Sequence, residues 1–488
     1  MVGRAALDRR SVLVLVALVA TLGLIAGCAQ TVTGKARAVG AVDPGTVAGL
    51  PVSNGPSGPK SGVADAKLTV ENGDGGDMDK LAVNTIADVQ EYWAEQLPAN
   101  FGGTKFTPVK RYVSYDSDAA GIEICKTSTA GLVNAMYCSL DDSVSWDRGQ
   151  LLPMLTEKFG AISVVMVLAH ELGHAVQTRL GELSNITQAT PSIIREQQAD
   201  CYAGNFFRWL AEGKSKHFQI STGDGLNKIL TTMFFIKDNV GSNFTKQGAH
   251  GSAFDRVSAF QFGFTEGPKR CAKIDLPEYE KRKTEVPLDN QAINSGNLPV
   301  NDKQSRDLLE SSLKATYEKS GANPPTLKDG SASCSDAKAT PPASYCPSNN
   351  TISIDPDALN KIGTPPGKKG QSGGLGDFAA FAEISSRYAL AVQKAAGLSL
   401  EGTSAGLRTA CLTGSWGGAA KKGVGRVGTS ALTLGAGDLD KAIAELLQDK
   451  SLIAADVNGK PVDSGFARVE AFRIGFLEGS DACSAKFN

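Results

Sequence analysis

Two histidines and a glutamate in the first half of the chain are spaced so that they could act on one ligand. His170, Glu171 and His174 form the pattern His-Glu-x-x-His at the end of an almost purely apolar run that begins at Phe159. On a helix, positions i and i+4 lie on the same face, so the two imidazoles can aim at one point and Glu171 can reach a ligand bound there. This arrangement is typical of a site that holds Zn²⁺ and activates a water molecule.

The residues before the motif predict a buried helix. The apolar run 159–169 is too short to span a membrane, and polar groups carried into a core without partners would cost roughly 2–7 kcal/mol each. A bound metal would satisfy them. The alternative is a pair of histidines that merely share a helix face, but the chain has only four histidines and two of them fall here. His217 has no motif around it and is predicted to lie at the surface.

A catalytic zinc needs three protein ligands and an open position for water. A third histidine six residues after His174 is excluded, because Leu180 occupies that position. The remaining candidate is Glu196, which lies on a predicted helix over 192–210 in the pattern Glu-x-x-Ala-Asp. Glu196 and Asp200 share one face of that helix, so Glu196 can bind the metal while Asp200 accepts a hydrogen bond from a ligand histidine. The alternative is that Glu196 is an exposed helix carboxylate.

These motifs resemble those of a known family, the neutral zinc metallopeptidases, and the likeness spans about 110–271. More broadly the pattern is similar to that of the gluzincins, and the lipoprotein peptidases of the LpqM type from actinobacteria resemble it as well. The resemblance implies a mostly helical α+β peptidase fold, in which an edge strand near the histidine helix holds an extended substrate. The residues that carry it are His170-Glu-Leu-Gly-His174-Ala-Val-Gln, Glu196-x-x-Ala-Asp200-Cys-Tyr-Ala-Gly204, Ala135-Met-Tyr-Cys138 and His250-Gly-Ser followed by Arg256.

The same resemblance implies a role for each site residue. His170, His174 and Glu196 would bind one Zn²⁺, which lowers the pKa of a bound water to about 7. Glu171 would act as the general base that takes a proton during attack on a peptide carbonyl and delivers it to the leaving amine. The developing oxyanion needs a second donor besides the metal. His250 is the candidate for that catalytic role, and a structural role is the alternative.

The second half of the chain repeats the first. Segment 466–483 matches segment 254–271 almost residue by residue, each residue 212 positions later. We therefore predict a helix-dominated α+β protein with two tandem homologous zincin-like units. The first unit covers 78–275 and the second 300–488, with a linker over 276–299.

The second unit has lost the residues that carry chemistry, while cysteine, glycine and aromatic positions persist. The lost set is therefore predicted to be the site and the retained set the scaffold. We expect no zinc in this degenerate, catalytically inactive unit, which would instead bind a protein partner, position substrate or stabilise the first unit. The positions of His170, Glu171, His174, Glu196, Asp200 and His250 are taken by Ser386, Arg387, Leu390, Gly406, Ala410 and Val462.

The N-terminus predicts export. Residues 1–27 have a basic start and an apolar core, and end at Leu24-Ile25-Ala26-Gly27 before Cys28, which resembles a lipoprotein signal peptide. Cleavage before Cys28 would leave a lipidated cysteine that holds the chain on the extracytoplasmic face of the cell membrane. The alternative is an ordinary secretory signal. Residues 28–77 are rich in Gly and Pro without an apolar period, and are predicted to be a flexible tether.

The cysteine count agrees with a compartment outside the cytoplasm. Nine cysteines minus Cys28 leave eight, an even number. Each predicted unit holds two cysteines close together and two far apart, so two disulfides per unit is the economical interpretation. The predicted pairs are Cys125–Cys138, Cys201–Cys271, Cys334–Cys346 and Cys411–Cys483.

Composition and motifs together define the function that we expect. The formal net charge of −1 gives no indication of a nucleic-acid partner. We expect a lipid-anchored zinc metallopeptidase, an endopeptidase rather than an exopeptidase, that acts on a peptide or protein substrate. The competing hypothesis is a binding or assembly lipoprotein with a structural or residual zinc. Glu171 discriminates between them, because a structural site needs no general base and usually closes its fourth position.

Overall fold

The computed structural model describes four stretches of the chain, residues 42–239, 248–283, 298–365 and 373–487. The predicted signal peptide 1–27 and Cys28 lie outside them. Residues 40–488 form one compact unit. Helices make up 49% of the chain beside several small sheets, so the predicted helix-dominated α+β class is confirmed. Among the described residues, no helix combines the length and the apolar character needed to cross a bilayer.

Helices build most of the first half, and two long ones cross at its centre. The helix with the His-Glu-x-x-His pattern runs from Ile162 to Leu180, as its apolar run predicts. It begins after Gly160 and ends at Gly181, both with positive φ. The described helices of residues 42–283 are α1 (Asp77–Asn100), α2 (Leu151–Phe159), α3 (Ile162–Leu180), α4 (Ser192–Ala211), α5 (Asp224–Phe235), α6 (Ala253–Glu266), α7 (Pro268–Cys271) and α8 (Leu276–Arg282).

A four-stranded sheet lies beside α3. Its strand order is β4-β5-β9-β8, with β4, β5 and β9 parallel and β8 antiparallel to β9. Strands β8 and β9 form a hairpin, and Asp142 at its turn has a φ of 56°. Strand β8 lies at the edge of the sheet. The described strands of this half are β1 (Thr46–Val47), β2 (Leu50–Pro51), β3 (Gly58–Pro59), β4 (Val70–Glu71), β5 (Arg111–Tyr115), β6 (Glu123–Ile124), β7 (Thr127–Ser128), β8 (Ala135–Cys138), β9 (Ser143–Asp147) and β10 (Phe218–Gln219).

The predicted flexible tether over 28–77 is wrong from residue 42 onward. Strand β3 pairs with β10, and β4 joins the main sheet. The Ser53 amide donates to the Thr222 hydroxyl at 2.8 Å, and Val47 is fully buried. This segment therefore folds onto the rest of the chain through partners far away in sequence, although it has no periodicity of its own. Residues 28–41 lie outside the described residues.

The predicted linker over 276–299 is wrong at its start. Helix α8 occupies Leu276–Arg282, and Tyr279 packs with Ile193 and Ile194 at the start of α4. The Arg282 guanidinium donates to the Gln197 side chain at 2.9 Å. These contacts bind α8 to the first half. The linker residues 284–297 lie outside the described residues.

The elements of the second half follow in the same order as those of the first. A helix precedes a three-stranded sheet of order β11-β13-β12, and two long helices then cross. The described helices are α9 (Lys303–Thr316), α10 (Pro356–Gly363), α11 (Asp377–Ala395), α12 (Thr403–Lys421), α13 (Asp438–Leu446), α14 (Gly465–Glu478) and α15 (Ser480–Lys486). The described strands are β11 (Thr326–Asp329), β12 (Ala343–Cys346), β13 (Thr351–Ile354), β14 (Arg426–Val427) and β15 (Ser430–Ala431).

In each half, one glycine lets two helices approach to backbone contact. A Cβ on Gly204 of α4 would lie 2.0 Å from the Phe260 carbonyl oxygen of α6. A Cβ on Gly414 of α12 would lie 2.0 Å from the Phe472 carbonyl oxygen of α14. Any side chain would force the helices apart, so each crossing requires glycine. The same close contact at matching positions is what an internal duplication would produce.

The four disulfides pair the cysteines that the sequence analysis predicted. Cys125–Cys138 and Cys334–Cys346 each hold a loop to an edge strand. The two longer disulfides lie beside the glycine crossings and join each long helix to a short C-terminal one. They are Cys201–Cys271 and Cys411–Cys483.

Helices α6 and α14 join the two halves through a reciprocal aromatic contact. The Phe254 ring lies 5.5 Å from that of Phe476, and the Phe264 ring 4.9 Å from that of Phe466. Because Phe254 matches Phe466 and Phe264 matches Phe476 in the repeat, each of these two rings meets the counterpart of the other, and the two helices run antiparallel. This is the self-complementary pattern of a twofold interface, here within one chain. All four rings are buried, so the two halves share one core.

Candidate metal centre

Helices α3 and α4 bring three candidate ligands to one point. The His170 Nε2 lies 3.0 Å from Glu196 Oε2, and the His174 Nε2 lies 3.5 Å from Glu196 Oε1. One ligand atom from each of the three residues falls within 4.8 Å of the others. The group sits where the C-terminal part of α3 passes the N-terminal part of α4. The structure therefore brings together the set His170, His174 and Glu196.

Asp200 fixes the orientation of the first histidine. Its Oδ1 lies 2.8 Å from His170 Nδ1, which leaves Nε2 to face the site. Arg256 of α6 holds Asp200 in turn, since its Nε donates to Oδ2 and its Nη2 to Oδ1, both at 2.9 Å. Asp200 and Arg256 are almost completely buried. The buried bidentate ion pair of Arg256 with Asp200 thus sets the tautomer of His170.

The site carries a strong negative potential. Burial by itself lowers the pKa of the His170 imidazole, but the carboxylates of Asp200 and Glu196 outweigh it and raise that pKa to about 10. Burial likewise disfavours the charged form of His174, whereas Glu196 raises its pKa above the ordinary value. The two imidazoles hold the pKa of Glu196 well below its usual range, against the effect of its burial. The pocket thus favours a bound cation, either protons on the imidazoles or a metal in their place.

Glu171 lies beside the ligand group and contacts the edge strand. Its Oε2 accepts a hydrogen bond of 2.9 Å from the backbone amide of Tyr137 on β8. The side chain is partly exposed. Because an antiparallel edge strand directs alternate amide and carbonyl groups outward, Ala135 and Tyr137 face the same side as Glu171. A carboxylate, a free strand edge and the metal ligands therefore meet in one place.

His250 reaches the site from the segment before α6. Its Nε2 lies 3.9 Å from Glu196 Oε2, and 45% of its side chain is exposed. Asp238 holds it, because Asp238 Oδ2 accepts hydrogen bonds from the amides of His250 at 2.7 Å and Gly251 at 2.9 Å. The imidazole thus stands at the rim of the metal group.

A cleft of about 410 Å³ opens next to the ligand group. It begins at Tyr137 on the edge strand and runs past His174 and Glu196 toward Arg195. The His174 Nδ1 lies 3.0 Å from Gln177 Oε1 at its wall. An extended ligand lying along β8 would therefore pass directly over the metal group. The remaining lining residues are Ser139, Gln177, Thr178, Gly181, Ser184 and Ile186.

The donor set fits a zinc ion. Two imidazole nitrogens and one carboxylate oxygen are the ligands of a catalytic zinc, which keeps a further position open. His170 has the carboxylate partner that zinc-binding histidines use to fix their tautomer. The ligand atoms of the three side chains face one another in a pocket where no more than 18% of any of these side chains is exposed.

Some features of this site were not predicted from the sequence. The Tyr137 amide donates to Glu171, 34 residues later in the chain, and Asp238 accepts from the amide of His250, 12 residues later. No motif in the sequence marks either contact. His217 was predicted to lie at the surface, and this is wrong. Only 4% of it is exposed, and its Nδ1 lies 2.5 Å from Asp88 Oδ1. His217 is not part of the metal group.

Fold and site together define a zinc-peptidase-like protein, and comparison with known proteins identifies the family. Residues 17–274 match the family described as "Putative neutral zinc metallopeptidase". Since this is more than half of the 488 residues, the chain belongs to that family. The match includes all the candidate ligands, Glu171 and His250, and ends before the second half begins.

The similar curated proteins carry no assigned function. "Uncharacterized protein Rv2575" of Mycobacterium tuberculosis (strain ATCC 25618 / H37Rv) is 27% identical over 160 residues, which are 28% of this chain and 54% of that protein. "Uncharacterized protein Mb2605" of Mycobacterium bovis (strain ATCC BAA-935 / AF2122/97) matches to the same extent. The chain spans about half the length of the curated relatives it matches. No solved structure matches this chain.

Proposed function

We propose that this protein is a zinc metallopeptidase that hydrolyses peptide bonds with Glu171 as general base. The observation that carries the proposal is the position of Glu171 between the three-ligand group and the free edge of β8. A purely structural zinc would have four protein ligands and no acid beside an open cleft. Membership of the neutral zinc metallopeptidase family supports the same activity.

The binding residues define what the metal contributes. His170, His174 and Glu196 would hold the ion, and Asp200 with Arg256 would keep His170 in the tautomer that presents Nε2. A zinc ion bound there supplies Lewis-acid polarisation of a substrate carbonyl and of a water molecule. The negative potential of the pocket makes binding pH-dependent, because protons and the metal compete for the same imidazoles.

Glu171 and His250 divide the remaining work. Glu171 accepts a proton from the water that attacks the peptide carbonyl, and then donates it to the amine that leaves. The carbonyl oxygen gains negative charge in the transition state. The His250 Nε2, 3.9 Å from Glu196 Oε2 at the rim of the ligand group, would offer a hydrogen bond or a positive charge to that oxygen.

The edge strand determines how the substrate lies. Outward amide and carbonyl groups of β8 would pair with an extended peptide, which places successive side chains on alternate faces. The cleft is lined by Tyr137 and Ser139 at the edge strand and by Arg195 on α4. A peptide that extends along β8 on both sides of the cleaved bond would be an endopeptidase substrate, and this is the activity that we propose.

The test compares wild type with Glu171→Gln on a broad peptide pool, with zinc content measured for each. We expect wild type to hydrolyse peptides and to hold one zinc per chain. Glu171→Gln should retain the zinc and lose roughly 10²–10⁴-fold in kcat/KM, the usual contribution of a general base. His174→Ala should lose the metal, whereas Leu390→Ala at the matching position of the second half should not change zinc content.

Two results would overturn the proposal. One is a zinc-loaded wild type that is inert toward every peptide in the pool, which would favour a binding or assembly protein with a structural or residual zinc. The other is undiminished hydrolysis by Glu171→Gln, which would remove Glu171 from the mechanism and leave the base unassigned.

We also propose that the protein acts outside the cytoplasm, anchored to the cell membrane by lipidated Cys28, as lipoprotein peptidases of the LpqM type would. Four disulfides within the described residues favour an oxidising compartment. Wild type is expected in the detergent-soluble membrane fraction and Cys28→Ser in the aqueous fraction. Equal partition of the two chains would contradict the lipid anchor.

A further inference from the structure

Asp440 of the second half lies against the segment that carries His250. It belongs to α13, and only 5% of it is exposed. Its Oδ1 accepts a hydrogen bond of 3.1 Å from the backbone amide of Phe254, in the first turn of α6. Its Oδ2 lies 3.1 Å from the Lys237 ammonium. One carboxylate thus contacts two points of the first half.

Those two points flank His250 on both sides. Lys237 comes directly before Asp238, and Phe254 comes four residues after His250. Asp238 holds His250 and Gly251 in place, because its amide donates to the Gly251 carbonyl and its carboxylate accepts from the amides of His250 and Gly251. Asp440 contacts Lys237, next to Asp238, and the amide of Phe254, four residues after His250. It thereby fixes where His250 lies relative to Glu196.

Other described contacts between the halves involve Asn227 on α5, several residues of α6 and Lys283 after α8. Gln261 donates to the Phe466 carbonyl at 2.9 Å and accepts from Arg473 at 3.1 Å. The Phe264 ring meets Phe466 near the other end of the helix. None of these contacts involves residues 237–239 or 248–251, although the Phe254 ring at the start of α6 also packs against Phe476. Among the described contacts between the halves, those of Asp440 are the ones directed at both flanks of His250.

The electrostatic setting makes the Asp440 contacts effective. The carboxylate faces the N-terminus of α6, where unpaired amides and the helix dipole favour negative charge. The Lys237 side chain is 16% exposed and that of Asp440 is 7% exposed, so water screens this ion pair only weakly. A buried charge pair at a helix terminus is strict about geometry, which suits a positioning role.

We propose that Asp440 is a positioning residue for His250, through which the second half completes the catalytic centre of the first. The inference rests on the proposed function, in which His250 stabilises the transition state. It assigns a task to the half in which Ser386, Leu390 and Gly406 occupy the positions of the three ligands. Asp440 touches neither substrate nor metal in this scheme, and acts through Asp238 and the first turn of α6.

The first test is a double-mutant cycle in the full-length chain. Asp440→Ala should keep its zinc and lose about 10- to 100-fold in kcat/KM, mainly in kcat, as expected for a displaced catalytic group. In a His250→Ala background the same change should cost little more. Asp440→Asn keeps an acceptor for the Phe254 amide and should lose less than Asp440→Ala. Full additivity with His250→Ala would overturn the proposal.

The matched control is Asp438→Asn on the same helix. Asp438 is also buried and pairs with Lys441, two residues that both belong to the second half. A comparable loss of stability without the loss in kcat is expected from it. If Asp438→Asn reduces kcat as much as Asp440→Ala, general loosening of the second half explains the effect and positioning is excluded.

The second test needs no activity, so it separates this inference from the proposed function. Hydrogen exchange at the amides of His250 and Gly251 should be about tenfold faster in Asp440→Ala than in wild type, with exchange in α3 unchanged. Unchanged protection at both amides would overturn the positioning role. Faster exchange in a chain that hydrolyses no peptide would support the positioning role and refute the peptidase.

Discussion

Helices α3 and α11 occupy matching places in the two halves, and they carry opposite charges at one position. In α3 this position is Glu171, which is partly exposed and bonded to one backbone amide. In α11 it is Arg387, fully buried, which donates to the carbonyls of Leu452, Ala455 and Asp456. The same point of the fold thus serves an open site in one half and a closed core in the other.

The space around the position differs as well. A Cβ on Gly406, the counterpart of Glu196, would lie 2.8 Å from the Val462 side chain and 2.9 Å from the Ala454 carbonyl oxygen. Val462 itself stands where His250 stands in the first half. The second half has therefore filled the site with backbone and apolar atoms, and has no room there for a ligand side chain. A functional site needs space and unsatisfied polar groups, which the scaffold otherwise removes.

The largest expected effect separates stability from function at this one position. Arg387→Met would remove a donor from each of three buried carbonyls, of which those of Leu452 and Asp456 keep a backbone donor, and should lower the free energy of unfolding by about 3–5 kcal/mol. Glu171→Met should change it by less than about 1 kcal/mol, since its single contact is at the surface of a cleft. Denaturant unfolding of both variants checks this. Equal losses in the free energy of unfolding would contradict the view that Arg387 stabilises the core whereas Glu171 serves the site.

The next effect concerns the start of α6, where the halves differ again. Ser252 caps α6 and Ser464 caps α14, but the residue three positions later is Asp255 in the first half and Ala467 in the second. Burial, assisted by the charge of Asp440 and opposed by Arg282, raises the pKa of Asp255 from 3.8 to about 6. The folded state therefore favours the protonated carboxyl.

This shift predicts a pH dependence that Asp255→Asn removes. Because the folded pKa is raised, the stabilising contribution is present below pH 3.8 and is lost as the pH rises through about 6. At roughly 1.4 kcal/mol per pKa unit, Asp255→Asn should gain about 3 kcal/mol relative to wild type between these limits. Unfolding free energies measured across this range test it. Parallel curves for the two chains would show that Asp255 does not titrate in the folded state.

The smallest expected effect compares two matching arginines. Arg256→Lys would replace the bidentate pairing with Asp200 by a single contact, and should weaken zinc binding about tenfold. Arg468, its counterpart, donates to the carbonyls of Leu446, Gln448 and Val462 and touches no carboxylate. Arg468→Lys should leave zinc affinity unchanged while lowering stability. Competition with a chromophoric chelator measures both affinities, and equal weakening would disprove the distinction.

Local patterns were enough to predict the core of the site. The apolar run before His170 specified α3, and the four-residue spacings put His170 with His174 and Glu196 with Asp200 on single helix faces. The matching cysteine spacings gave the four disulfides. All of these depend on residues close in sequence or on repetition, which a sequence displays directly.

The contacts that failed prediction join residues far apart in sequence. Segment 42–76 has the composition of a tether, yet its strands pair with partners such as β10 that carry no signal for it. His217 is buried because Asp88, 129 residues earlier, supplies a carboxylate. Arg387 was seen only as a lost Glu171, since nothing in the sequence shows that loop 452–456 offers it carbonyls. Hydrogen bonds between residues far apart in sequence can be identified only from the folded structure.

The disulfides have a consequence for the order in which the chain matures. Each of the four closes within its own half, and the described residues contain none that crosses between the halves. Once Cys271 is available, the disulfides of the first half can therefore form without the second half. The aromatic face of α6 and the flanks of His250 stay uncovered until α13 and α14 pack against them. Covalent closure of the first half thus does not depend on the contacts that fix His250, so oxidation alone does not position this residue.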